Sequence, residues 1–234
     1  MPTRRLLLAV GLLATPARAA SGVCGTSALV KRALERAGGL AALARAKSLS
    51  WTGTARILAG PKPIEIGVST TVRPFTSARS DTWLASEGPS KTRSLIIEGD
   101  KGWLERGGVR SDMPAAMLAH ERQQYALYGL MLLTPLCGPD VETVVLPDLD
   151  GGGRVAVSHR RAPRTTLVFD ETARLAGAEN TVVAPDEGGA PIDQVFAFEG
   201  EIESAGVRWP RRLSISQNGK PYFELSLGAF DASA

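Results

Sequence analysis

Side chains able to act as acids, bases, nucleophiles or metal ligands are sparse in this chain, which holds two histidines and two cysteines in 234 residues. His120 precedes Glu121 within a helical pattern, but adjacent helical residues diverge in direction and form no acid–base pair by themselves. His159 ends a strand pattern on the face of Val155 and Val157, while its neighbour Ser158 points the other way. No nucleophile elbow accompanies either histidine, so a Ser/His/acid triad could be assembled only by choosing residues freely. A surface or strand-end histidine is the expectation for both. The histidines are far apart and the cysteines lack metal-ligand spacing, which disfavours zinc. Asp148-Leu149-Asp150-Gly151-Gly152-Gly153 offers too few oxygens for a calcium cage. A strand pattern follows these glycines, so no helix N-terminus completes a phosphate cradle. The chain is expected to be non-enzymatic, with no catalytic residue, metal or cofactor.

What remains is apolar and aromatic. Met117, Tyr125, Tyr128, Met131 and Leu132 fall in one helical pattern, and Trp51, Trp83, Trp103, Phe196 and Phe198 fall in strand patterns. Methionines adapt to irregular shapes, so such a set can line a cavity for variable acyl chains. The alternative is that these residues are simply core.

One helix and many strands must position them. The helical stretch runs from Asp112 to Leu136, with Ser111 or Asp112 as its cap, Pro114 at the first helical position and Pro135 as its stop. Its second half, Tyr125 to Leu133, is apolar nearly all round, as in a buried helix. An earlier helical pattern spans Thr26 to Ala46, capped by Thr26 or Ser27 and broken at Gly38-Gly39. Strand patterns begin with Leu49 to Ile57 and Ile64 to Val72, where Arg73 shares the polar face of Thr71, Ser69 and Glu65. Further ones cover Ser77–Ala85, Arg93–Glu98, Gly102–Arg106, Val141–Leu146, Arg154–Arg160, Thr165–Asp170 and Leu175–Val183. One more carries Phe196, Phe198 and Ile202 opposite Glu199, Glu201 and Glu203. Another begins at Val207 and alternates through Leu213 and Ile215, and Asn218-Gly219 turns it into Tyr222 to Leu227. Arg208, Arg211 and Arg212 can face the glutamates across a hairpin. Short turns between about ten or eleven strands argue for antiparallel pairing. The expected fold is mostly β (α+β): an incomplete antiparallel β-barrel whose concave face is covered by an N-terminal and a central helix.

The N-terminus reads as a leader at residues 1–19, with Arg4-Arg5 before an apolar run and a small-x-small site at Ala17-Arg18-Ala19. Thr3-Arg4-Arg5 also fits a loose twin-arginine signal, so the route is Sec or Tat. The remainder, 20–234, is expected to be a single domain in the periplasm. The chain has 27 Lys+Arg against 24 Asp+Glu, and loss of Arg4, Arg5 and Arg18 leaves 24 against 24. That balance removes the compositional support for a nucleic-acid partner. Export would place Cys24 and Cys137 in an oxidising compartment, so one disulfide is expected, with two unpaired buried cysteines as the alternative.

At Thr71-Val72-Arg73-Pro74-Phe75 and Ser94-Leu95-Ile96-Ile97-Glu98-Gly99-Asp100-Lys101-Gly102-Trp103 the chain resembles the LolA/LolB-like superfamily of periplasmic lipoprotein carriers. The order of elements is similar from about Ala28 to Leu136. The resemblance implies a half-barrel with helices as a lid over a hydrophobic cavity, and cargo that is a lipid, an acyl chain or a lipoprotein. By position, Arg73 matches the arginine that bonds to the lid in that family and joins the candidate cavity residues on that ground. The leading expectation is a periplasmic carrier or binding protein for such a ligand. Its rivals are an envelope structural or interaction module with a filled core, partnered by another envelope protein, and a hydrolase using either histidine.

Overall fold

Alternating apolar and polar residues drive most of this chain into strands, and in the computed structural model these pair into one large antiparallel sheet. The structure describes residues 27–147, 152–186 and 188–234. The leader at 1–19, Cys24 and with it the Cys24–Cys137 pairing lie outside them. Six strands, β1 (Ser48–Ile57), β2 (Ile64–Arg73), β3 (Ser77–Leu84), β4 (Arg93–Glu98), β5 (Lys101–Arg106) and β6 (Val109–Asp112), form a meander. A second meander comprises β7 (Val141–Leu146), β8 (Gly153–His159), β9 (Ala162–Phe169), β10 (Leu175–Val183) and β11 (Pro191–Glu199). The strands β12 (Ile202–Ser204) and β13 (Val207–Trp209) make a separate small hairpin, and β14 (Arg212–Gln217) and β15 (Lys220–Ser233) complete the set. Among the described residues the main sheet has 13 strands in the order β6-β5-β4-β3-β2-β1-β15-β14-β11-β10-β9-β8-β7. Its ends do not join, so the barrel is incomplete, as the patterning predicts.

The strand number exceeds the expected ten or eleven for local reasons. Gly200, at φ 60°, ends β11 and makes Ile202 part of β12. Pro210 has no N–H for a ladder and falls between β13 and β14. All four residues of β6 are exposed, so that strand has no alternation to find. Asn218 and Gly219 both adopt positive φ (48° and 77°), as a two-residue hairpin requires. On the outer surface Glu199 pairs with Arg212 and Glu203 with Arg208, while Glu201 reaches Arg36 of the first helix.

Helix α1 (Ala28–Arg36) is capped by Ser27, whose Oγ accepts from the Val30 N–H at 3.3 Å. Gly38 and Gly39 break the pattern and α2 (Leu40–Arg45) follows. A Cβ on Gly38 would sit 1.9 Å from the Gly206 carbonyl oxygen, so only glycine allows the β12–β13 turn this close.

Helix α3 (Ala115–Met131) lies against β9 and β10 and reaches across to β2. Its start differs from expectation: Asp112 pairs with Trp103 in the sheet, and Pro114 occupies the capping position without a side-chain hydrogen bond. Leu133, at φ 60°, follows the end of α3, and Pro135 sits in the next 3-10 turn, Thr134–Cys137. The second half of α3 is buried as predicted, with Ala126, Leu127, Gly129, Leu130 and Met131 inside. Among the described residues no helix is long and apolar enough to cross a membrane.

Candidate functional site

The site is the space left between α3 and the β1–β4 part of the concave face. Strand parity decides its walls. Ile66, Val68 and Thr70 of β2, with Ser80 and Thr82 of β3, point inward, and Leu95, Trp51, Phe223 and Leu225 complete the sheet side. Glu121, Tyr125 and Tyr128 come down from α3. Their i, i+4, i+7 spacing puts them on one helical face. The resulting hollow has a volume of about 240 Å³.

Its floor is aromatic. The rings of Trp51 and Tyr128 lie 4.8 Å apart, and those of Tyr125 and Tyr128 lie 5.9 Å apart. Both distances suit tilted aromatic contact. Beyond the hollow the row continues through Trp209, stacked on Phe230 at 5.4 Å. A small polar strip interrupts the wall, where Thr70 and Ser80 share a hydrogen bond of 2.9 Å and Ser80 also bonds Tyr125.

Among the described residues Glu121 is the one charged residue in this lining. Burial pushes its carboxyl up from 4.5 to about 7. Burial likewise raises Tyr125 and Tyr128, and the Glu121 charge adds to both. Tyr222, on β15, is raised by the same two causes.

The expected cavity residues separate into groups. Trp51, Tyr125 and Tyr128 line the hollow. Met131, Leu132, Phe196 and Phe198 are buried in the adjoining core, and Met117 packs against that core half-buried. Trp83 and Trp103 lie on the convex face instead. The Trp83 indole covers Gly67, which points away from the hollow, and Arg110 sits 5.4 Å above the Trp103 ring. Arg73 is exposed, beside Arg122 and Arg161 at a separate small hollow, and makes no bond to α3 among the described residues.

Neither histidine lies in the hollow. His120, expected at a surface, is only 5% exposed, and its Nδ1 lies 2.7 Å from the Val183 carbonyl. Gln123 supports the same contact by accepting from the Val183 N–H at 2.8 Å. His159 stacks on Phe75 at 4.2 Å, and burial lowers its pKa. Glu121 is the residue sequence reasoning missed. Its register with Tyr125 and Tyr128 was the available signal. Among the described residues no three His, Cys, Asp or Glu side chains cluster to hold a metal.

No protein-family model matches this chain, and no curated protein matches it in sequence. Solved structures do match in shape. A LolA superfamily protein from Nitrosomonas europaea superposes with a TM-score of 0.57 at 13% identity, over 89% of this chain and 95% of its own. An outer membrane lipoprotein-sorting protein domain from Vibrio parahaemolyticus gives 0.54 at 9%, over 91% and 92%. A DUF1329 family protein from Desulfovibrio piger gives 0.56 at 9%, over 88% and 92%. At these identities the likeness is one of fold, and the open sheet wrapped around a central helix is the LolA-like fold.

Proposed function

We propose that this is a periplasmic, non-enzymatic protein that binds a lipid, an acyl chain or the lipid-bearing end of a lipoprotein between α3 and the sheet. The observation that carries this reading is the hollow under α3, walled by Trp51, Ile66, Val68, Leu95, Phe223 and Leu225. The names of two fold neighbours, one a LolA superfamily protein and one a lipoprotein-sorting domain, lend support. Burying an acyl chain contributes ~0.8 kcal/mol per CH₂, so a C16 chain supplies ample affinity without polar chemistry. Pockets for drug-sized ligands run to roughly 300–1,000 Å³. A hollow of about 240 Å³ is therefore smaller than a long chain needs, and α3 would move outward to admit one. The test is native mass spectrometry and lipid extraction on protein purified from its own cell envelope. Co-purifying lipid that is lost from a Val68→Phe variant supports the reading, and consistently empty protein sinks it.

One observation favours a second reading, an envelope interaction module with a filled core. Much of the concave face is already occupied, with Phe196, Phe198, Met131 and Leu132 buried under α3 or beside it. That reading expects no change in melting temperature on adding fatty acid, and loss of partner capture when Glu201 and Arg208 on the outer surface are exchanged.

A further inference from the structure

We propose that the hollow under α3 receives a positively charged amine or quaternary ammonium group, held by the Glu121 carboxylate and the aromatic faces around it. This rests on the hollow being a ligand site and goes further by naming the charge of what enters. Three observations converge. First, Glu121 has no ion pair and no hydrogen bond among the described residues, although it is largely enclosed. Second, among the described residues no lysine, arginine or histidine lines the hollow. Arg122, next in sequence, opens onto the separate hollow with Arg73 and Arg161. Third, the remaining wall is rich in aromatic rings, those of Trp51, Tyr125, Tyr128 and Phe223.

An aromatic enclosure with one carboxylate is the chemistry that recognises ammonium groups, because ring faces and carboxylate both attract a cation that has shed water. A lone carboxylate in such a space costs stability when ionised. A cation removes that cost and gains the rings. An anionic or neutral head group would leave Glu121 uncompensated.

The groups that face Glu121 are few. From α3 they are Tyr125 and Tyr128, from β15 Tyr222, and β1–β4 contribute hydroxyls and rings but no charge. The tyrosines stay neutral, because burial raises all of them. Among the described residues Glu121 alone therefore sets the pH dependence, and cation binding strengthens as pH rises through about 7.

Calorimetric titration of the whole chain with octyltrimethylammonium and with 1-octanol tests this, in the native protein and in Glu121→Gln. The ammonium is expected to bind about tenfold or more tighter than the alcohol at about pH 8. That advantage should disappear at about pH 5.5 and in the Gln variant. Tetramethylammonium binding with the same dependence would assign the site to free amines, and binding of the octyl compound alone would assign it to a lipid head group. Equal binding of ammonium and alcohol in both proteins overturns the cation site and leaves the apolar reading standing. Binding of neither, with circular dichroism intact, overturns both.

Discussion

The two flanks of α3 are built differently. Toward β8–β11 the helix is fixed: His120 and Gln123 grip the backbone of Val183, and Leu167, Phe196 and Phe198 fill the space beneath with almost no exposure. Toward β1–β4 it roofs a hollow, with Glu121, Tyr125 and Tyr128 facing a wall that includes Thr70, Ser80 and Thr82. The same helix therefore serves as core for one half of the sheet and as cover for the other.

Truncations on the two flanks should separate them most sharply. Leu167→Ala, at a fully buried position of β9, is expected to cost about 3–5 kcal/mol in denaturant unfolding. Leu95→Ala, on the hollow's wall, should cost about half as much, since the site already borders open space. Equal losses would mean that the hollow is closed in solution.

Glu121 gives the next largest effect, and its sign is set by linkage. Its folded pKa lies above its unfolded value, so the folded chain holds the proton longer and is penalised as pH rises from 4.5 to about 7. Glu121→Gln should therefore raise stability by about 3 kcal/mol at about pH 8 and leave it unchanged near pH 4. A pH-independent difference in thermal unfolding would refute the enclosed carboxyl.

His120→Ala removes the anchor and leaves the Val183 carbonyl short of a donor, for a loss of about 1–3 kcal/mol. Hydrogen exchange should then quicken in the first half of α3, with the hollow's wall strands unaffected. The smallest effect belongs to Arg73→Ala. An exposed arginine with no bond to the helix should change stability by less than about 0.5 kcal/mol. A large loss there would place a latch where none is seen.

Sequence patterning revealed the sheet, the helix break at Gly38-Gly39 and the Asn218-Gly219 turn, because each rests on local chemistry. The hollow was harder to read for the reason that makes it a hollow. Its β3 wall is Ser80 and Thr82, while the bulky Trp83 of the same strand lies outside over Gly67. Hydropathy thus favours the wrong face of β3. Trp103 misleads in the same way, being aromatic yet convex. Glu121 was visible as a residue but not as a site, because a carboxylate in a half-polar helix start reads as solvated until Trp51 and Phe223 arrive from strands far away in sequence. Asp112 shows the reverse error. It is a good helix cap by type, but its backbone is taken up by pairing with Trp103.

The placement of β15 bears on how the protein comes to be made. It is the strip between the two meanders, paired with β1 from Ser48↔Ser233 onward on one side and with β14 on the other. Until those residues leave the ribosome, the halves have no common edge. Contacts that join distant parts of a sequence form slowly, so closing this seam between the two halves is a late step in folding.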